Sequence, residues 1–329
     1  MHIENSYIPE FSHTPPGPEF IPSLQELVNF ENCRAEVYKA NPELVADIEK
    51  SLTSPQLGPY HKEGHTMLSH LQLMTSRLAE IQAGQEDPSI PLDLLAKFQN
   101  IAQNKQMWRQ FIFLHDMEKP SCMRLTLTNE TSDRDTQTDI TWEQWEESEK
   151  QGPPYQFLNP TTGTIEGVSA TFFFHAGDGE LPAITHGPAA AIKLGEAHKH
   201  PGVIPDILPL IAFHEVAFNF DDGINAKIYA EKIDTNSDLQ GKVELLLFAN
   251  YLDMSSCLRE SGQPDLASFY NLLKSRQNYE LIQQVLLQRQ QDNLPSISPE
   301  LLEQLYTSPR ELSLDDLENS LKYSDLHSS

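Results

Sequence analysis

A histidine and an aspartate stand side by side at His115-Asp116, directly behind the apolar run Phe111-Ile112-Phe113-Leu114 and just ahead of Lys119-Pro120. Burying either polar group without a partner costs on the order of several kcal/mol. One divalent cation would satisfy both. The apolar run predicts a buried helix that ends at the pair, because Pro120 bars its continuation, and the negative end of the helix dipole favours a positive charge there. Taken alone, the dipeptide also fits a helix end that emerges into water.

Further histidines and an aspartate occur in settings that could bring them to the same place. Upstream lies Tyr60-His61-Lys62-Glu63-Gly64-His65-Thr66-Met67-Leu68-Ser69-His70. Downstream come Thr185-His186-Gly187-Pro188-Ala189-Ala190, then Leu208-Pro209-Leu210-Ile211-Ala212-Phe213-His214, and last Phe248-Ala249-Asn250-Tyr251-Leu252-Asp253-Met254. In this order the segments resemble the HD superfamily of metal-dependent phosphohydrolases, with the nearest likeness to the HD domains of bacterial tRNA nucleotidyltransferases and related nucleotide hydrolases. The resemblance spans about residues 60 to 257.

Carried onto this chain, the resemblance implies His70, His115, Asp116 and Asp253 as metal ligands, with His65 as a rival to His70. It places Lys119 beside a substrate phosphate and makes His186 and His214, with His65, candidates for substrate phosphate or a second metal. Glu118 stands where the family has glycine and could bring a third carboxylate, so Lys119, Asp116 and Glu118 form the expected catalytic group. Imidazole and carboxylate ligands suit Mn, Fe, Co, Ni, Mg or Zn without choosing among them.

The whole chain limits what this site could act on. With 329 residues, 39% hydrophobic and 22% charged, it has the composition of a globular protein able to bury a sizeable core. The net charge of -25 repels a phosphate backbone and disfavours long nucleic acid as a partner, while a small phosphorylated substrate remains compatible with a bound cation. The three cysteines, Cys33, Cys122 and Cys257, have neither CxxC nor zinc-framework spacing and read as thiols in a reducing compartment. No stretch is long and apolar enough for a bilayer, and Met-His-Ile-Glu-Asn does not begin a secretory signal. The expected setting is cytoplasmic, with no membrane partner.

The surrounding sequence must position these groups. Five prolines mark residues 1–22 as an extended arm. Residues 23–262 read as a mostly α, HD-type helical domain. Met67, Leu68, Leu71, Met74, Leu78 and Ile81 make a helical stripe that carries His70. Helical patterning returns at Gly187–His198, Ile204–Phe218, Gly223–Ile233 and Lys242–Arg259. Alternation at Arg124–Thr128 and Thr138–Trp142 predicts a β-rich insertion over about 121–180, placed to act as a lid. Residues 263–329 read as a C-terminal helical extension, with start signals at Ser298-Pro299-Glu300 and Ser313-Leu314-Asp315-Asp316.

The expected function is hydrolysis of a phosphomonoester or phosphodiester of a nucleotide or other small phosphorylated substrate. Two other classes fit the same residues. One is a non-catalytic, HD-like ligand-binding or regulatory module. The other is an RNA-end-processing phosphatase or phosphodiesterase, which needs a basic patch that the sparse lysines between Lys193 and Lys242 do not supply.

Overall fold

Helix α1, Leu24–Ala40, begins at a reciprocal capping box: the Ser23 side chain accepts from the Glu26 amide, and the Glu26 carboxylate accepts from the Ser23 amide at 2.7 Å. Phe30, Cys33 and Val37 are its buried face. The computed structural model describes residues 20–54, 63–64, 66–85, 90–122, 185–259 and 261–327, together with the backbone of four strands between 124 and 171. Most of the proline-rich arm and His65 lie outside the described residues.

Helices α2 (Val45–Leu52), α3 (Met67–Gln82), α4 (Leu92–Ile101) and α5 (Lys105–Leu114) follow, then the short α6 (Lys119–Cys122). The stripe read on α3 is buried at Met67, Leu71, Met74, Leu78 and Ile81, and His70 shares that face. The Asn104 side chain accepts from the Met107 amide to start α5, whose last residues Phe111 to Leu114 are all buried. This helix ends at Leu114, and the chain turns through His115–Glu118 before Pro120 enters the first turn of α6.

After residue 184 the order is α7 (His186–Leu194), α8 (Ile207–Phe213), α9 (Ala226–Tyr229), α10 (Val243–Met254), α11 (Ala267–Gln291), α12 (Pro299–Tyr306) and α13 (Leu314–His327). Every residue of α10 from Leu246 to Met254 is buried, so after its first turn this helix runs through the core with no solvent face. Phe248 packs with ring centroids 4.6 Å from Trp108 and 5.0 Å from Phe98, which ties α10 to α5 and α4. The buried Asn250 side chain accepts from the Ala217 amide at 3.1 Å and donates to the Leu246 carbonyl at 2.9 Å. Gln110 of α5 donates to the Gly202 carbonyl and accepts from the Ile204 amide, fixing the approach to α8. Phe269 and Leu272 of α11 enter the same core. Farther along, Ile282 joins Leu305 and Leu317 in a smaller cluster with α12 and α13.

The fold class expected for residues 121–180 is corrected. Every element with described side chains is a helix, and a β-rich insertion is no part of that helical body. Beyond the end of α6, the described residues of the interval are short backbone strands, β1 (Arg124–Thr128), β2 (Thr138–Ile140), β3 (Gln156–Leu158) and β4 (Ile165–Thr171), paired antiparallel in the order β2-β1-β4-β3. Alternation over five residues signals a local strand pairing; it does not specify a structural layer of the domain or a lid. Among the described residues no helix is long and apolar enough to cross a membrane.

Removing the Phe248 ring should open a cavity where three helices meet. Phe248→Ala is expected to lower stability by about 3–5 kcal/mol, measured by urea denaturation. A loss under about 1 kcal/mol would mean that α10 does not hold the core together.

Candidate metal centre

Six helices deliver the polar side chains that the core surrounds. His70 comes from the second turn of α3, His115 and Asp116 from the end of α5, Lys119 from the start of α6, His186 from the start of α7, His214 from the end of α8 and Asp253 from the end of α10. All are buried; Asp253 and Lys119, 7% and 6% exposed, are nearest to solvent.

Asp116 is the hub. Its Oδ2 lies 3.2 Å from His115 Nε2 and 2.7 Å from Lys119 Nζ, and its Oδ1 lies 2.7 Å from His186 Nε2 and 3.6 Å from His214 Nε2. Asp253 Oδ1 sits 3.0 Å from His70 Nε2 and 3.9 Å from His115 Nε2. The four residues expected as ligands are therefore drawn together, and His186 and His214 close round the other oxygen of Asp116.

Several of these atoms face one another without hydrogen-bond geometry. His115 Nε2 and both carboxylate oxygens of Asp116 are buried with no hydrogen bond, despite the close approaches just given. His115 Nδ1 is 3.0 Å from the Ile112 carbonyl, and His214 Nδ1 is 2.7 Å from the Ile211 carbonyl, so each Nδ1 carries the proton and donates. When neutral, both rings therefore turn the Nε2 lone pair into the cluster, in the tautomer that a metal-binding imidazole requires.

His70 presents the same demand more sharply. Its Nδ1 faces the Ser256 carbonyl at 3.2 Å and Glu63 Oε1 at 3.3 Å, while its Nε2 faces the Asp253 carboxylate. With acceptors on both sides, a neutral ring satisfies only one, so the other needs a second proton or a cation. His186 Nε2 and His214 Nε2 approach to 3.2 Å, again a pair of nitrogens with a carboxylate oxygen beside them.

In the absence of a metal, protons take up this electrostatic demand. Burial disfavours the imidazolium of His70, but Cys257, Asp253 and Glu63 outweigh it and hold its pKa well above the ordinary value. Burial similarly opposes the charged form of Asp116, yet His115, Lys119 and His186 keep its carboxyl well below the usual range. Asp253 is also lowered, its burial being overcome by His70 and the other imidazoles. Burial lowers His115. His214 is pushed up to about 9, its burial offset by Asp116, Glu215 and Asp253. Lys119 is raised, since Asp116 outweighs burial.

Three ligand groupings are close enough to hold an ion: His70, His115 and Asp116; Asp116, His186 and His214; and His70, Asp253 and Cys257. Buried His and Asp groups here could hold a metal ion, and the donors, tautomers and unsatisfied atoms all fit one.

Glu118 is not brought into the cluster. Its Oε1 accepts from Lys193 Nζ at 2.6 Å, and Lys193 also reaches Asp47 at 3.0 Å, so the carboxylate is committed to a separate ion-pair network. Sequence reasoning missed the role of Glu63, which is fully buried, faces His70 and accepts from the Leu258 amide at 2.9 Å. It supplies the carboxylate behind a candidate metal-binding imidazole. The glycine beside it was the available signal: a Cβ on Gly64 would meet Ser69 Oγ at 2.1 Å, so only glycine lets this segment close onto α3. Gly187 serves the second histidine pair in the same way, since a Cβ there would meet the Ile211 carbonyl oxygen at 2.6 Å and His214 Cε1 at 2.9 Å.

No family model, curated protein or solved structure gives a match to the chain.

A histidine whose folded pKa is raised contributes stability fully below its unfolded pKa of about 6.5 and loses it as pH rises through the folded value. For His214 the loss falls between about 6.5 and about 9. The urea midpoint of chelator-treated protein should drop across that window, and His214→Gln should reduce the drop. Equal pH slopes in the two proteins would contradict the assignment.

Proposed function

We propose that this chain is a divalent-metal-dependent phosphohydrolase of the HD type, cleaving a phosphomonoester or phosphodiester of a nucleotide or another small phosphorylated substrate. The observation that carries this reading is the set of buried, unsatisfied ligand atoms at His115 Nε2 and Asp116 Oδ1 and Oδ2. His70, Asp253, His186 and His214 complete their surroundings. The order of these residues along the chain is the order that resembles the HD superfamily.

On this reading His70, His115, Asp116 and Asp253 hold one cation. The two oxygens of Asp116 address different groups of histidines, which favours a second cation shared with His186 and His214. A bound divalent ion supplies Lewis-acid polarisation of phosphoryl oxygen and an acidified water as nucleophile.

The protein's own groups provide the remaining chemistry. Lys119, buried beside Asp116 and raised in pKa, keeps a positive charge for an equatorial phosphoryl oxygen. Glu63 orients the His70 ring, and the Ile112 and Ile211 carbonyls fix the rings of His115 and His214. Burial excludes bulk water from all these charges and strengthens their action on substrate. The strong overall negative charge favours a small substrate over long nucleic acid.

With Mn, Co or Ni added, the purified protein should release phosphate from an aryl phosphate or a nucleotide in a substrate panel. Chelator should abolish turnover, and cation should restore it. His115→Ala and Asp116→Ala should remove detectable activity, and Lys119→Ala should lower kcat about 10²-fold. Unchanged activity in the first two variants refutes the reading. Thermal stabilisation by nucleotide without turnover would assign the site to a binding module instead.

A further inference from the structure

Building on the proposed metal centre, we propose that Cys257 is a thiolate ligand on its His70–Asp253 side, and that the centre consequently selects a thiophilic divalent cation such as zinc or cobalt over magnesium.

The backbone around Cys257 is held against that side of the site. Ser256 places its carbonyl 3.2 Å from His70 Nδ1, and the Leu258 amide donates to Glu63 Oε2 at 2.9 Å. Residues on both sides of the cysteine are thus tied to the His70–Glu63 pair. Beyond the end of α10, the Ser255 and Ser256 hydroxyls donate back to the Leu252 carbonyl and keep the chain turning. Cys257 Sγ then donates to the Asp253 carbonyl at 3.4 Å, four residues back. Ligand atoms of His70, Asp253 and Cys257 all lie within 4.8 Å of one another.

A second observation points into the same space. His115 Nε2 is buried without a hydrogen bond and stands 3.9 Å from Asp253 Oδ1, the carboxylate oxygen that also faces His70. Cys257 thus adds a thiolate beside the His70 imidazole and the Asp253 carboxylate of that centre, and a thiolate donor favours zinc or cobalt, whereas magnesium takes oxygen donors. Cys257 is only half-buried, so it borders the site from the more accessible flank; Cys33, by contrast, is in the hydrophobic core. When the thiol coordinates, its S–H bond breaks, the sulfur lone pair forms the bond to the cation and the proton leaves to water. No electron transfer is involved.

Titration of metal-free, full-length protein with Co(II) provides the test. The wild type should develop visible ligand-field bands together with a near-ultraviolet thiolate-to-cobalt band. Cys257→Ser should keep the visible bands and lose the near-ultraviolet one, with zinc affinity falling about 10-fold or more. Cys33→Ser should retain both sets of bands. If Cys257→Ser does not fold, the wild type still decides the matter: bound zinc should protect Cys257 from iodoacetamide, read by peptide mass spectrometry. Visible bands without the near-ultraviolet band, or alkylation of Cys257 unaffected by zinc, overturn the thiolate ligand and leave the metal centre standing. No cobalt uptake by the wild type overturns both.

Discussion

Desolvation governs this structure. Asp116 and Asp253 are held in the core among four imidazoles and a lysine. Each ion removed from water costs several kcal/mol unless its new neighbours repay it, on the general scale for buried charge. Protons on His70, His214 and Lys119 can offset part of the carboxylate charge. They do not make hydrogen bonds out of contacts whose geometry is wrong, and His115 Nε2 and the Asp116 oxygens keep their ionic neighbours without a hydrogen bond. A cation accepts electron pairs from several directions at once and meets the requirement that protons leave open.

The rest of the fold holds those electron pairs in place. The buried stretch of α10 from Leu246 onward carries Asp253 into the centre, while aromatic contacts join it to α4 and α5. Main-chain carbonyls one turn earlier fix the rings of His115 and His214, so helix ends position the imidazoles as well as supply them. Glycines at 64 and 187 allow the close approaches that bring in Glu63 and the His186–His214 pair. The cost of burying so many polar groups is spread over the helices that pack around them.

Residues whose signals were local could be read from the sequence. His70 follows the apolar period of α3, and His115-Asp116 ends a run too apolar to be anything but core. His214 and Asp253 close apolar helices in the same manner. Information carried by distant partners was hidden. Glu63 acquires its role from Leu258, far along the chain, and Glu118 is drawn away by Lys193 of α7. Cys257 looked inert because its relation to His70 exists only after α10 has packed. The alternation between residues 124 and 142 was overread for the opposite reason, since a short local pattern was extended to a whole insertion.

The most direct measurement is elemental analysis of the native, full-length protein after gel filtration, beside Asp116→Asn prepared in the same way. The wild type should retain at least one equivalent of a divalent metal per chain, and the variant should lose it while keeping a helical circular dichroism spectrum. A folded wild type that carries no metal and takes up none on dialysis against zinc, cobalt or manganese would contradict the account.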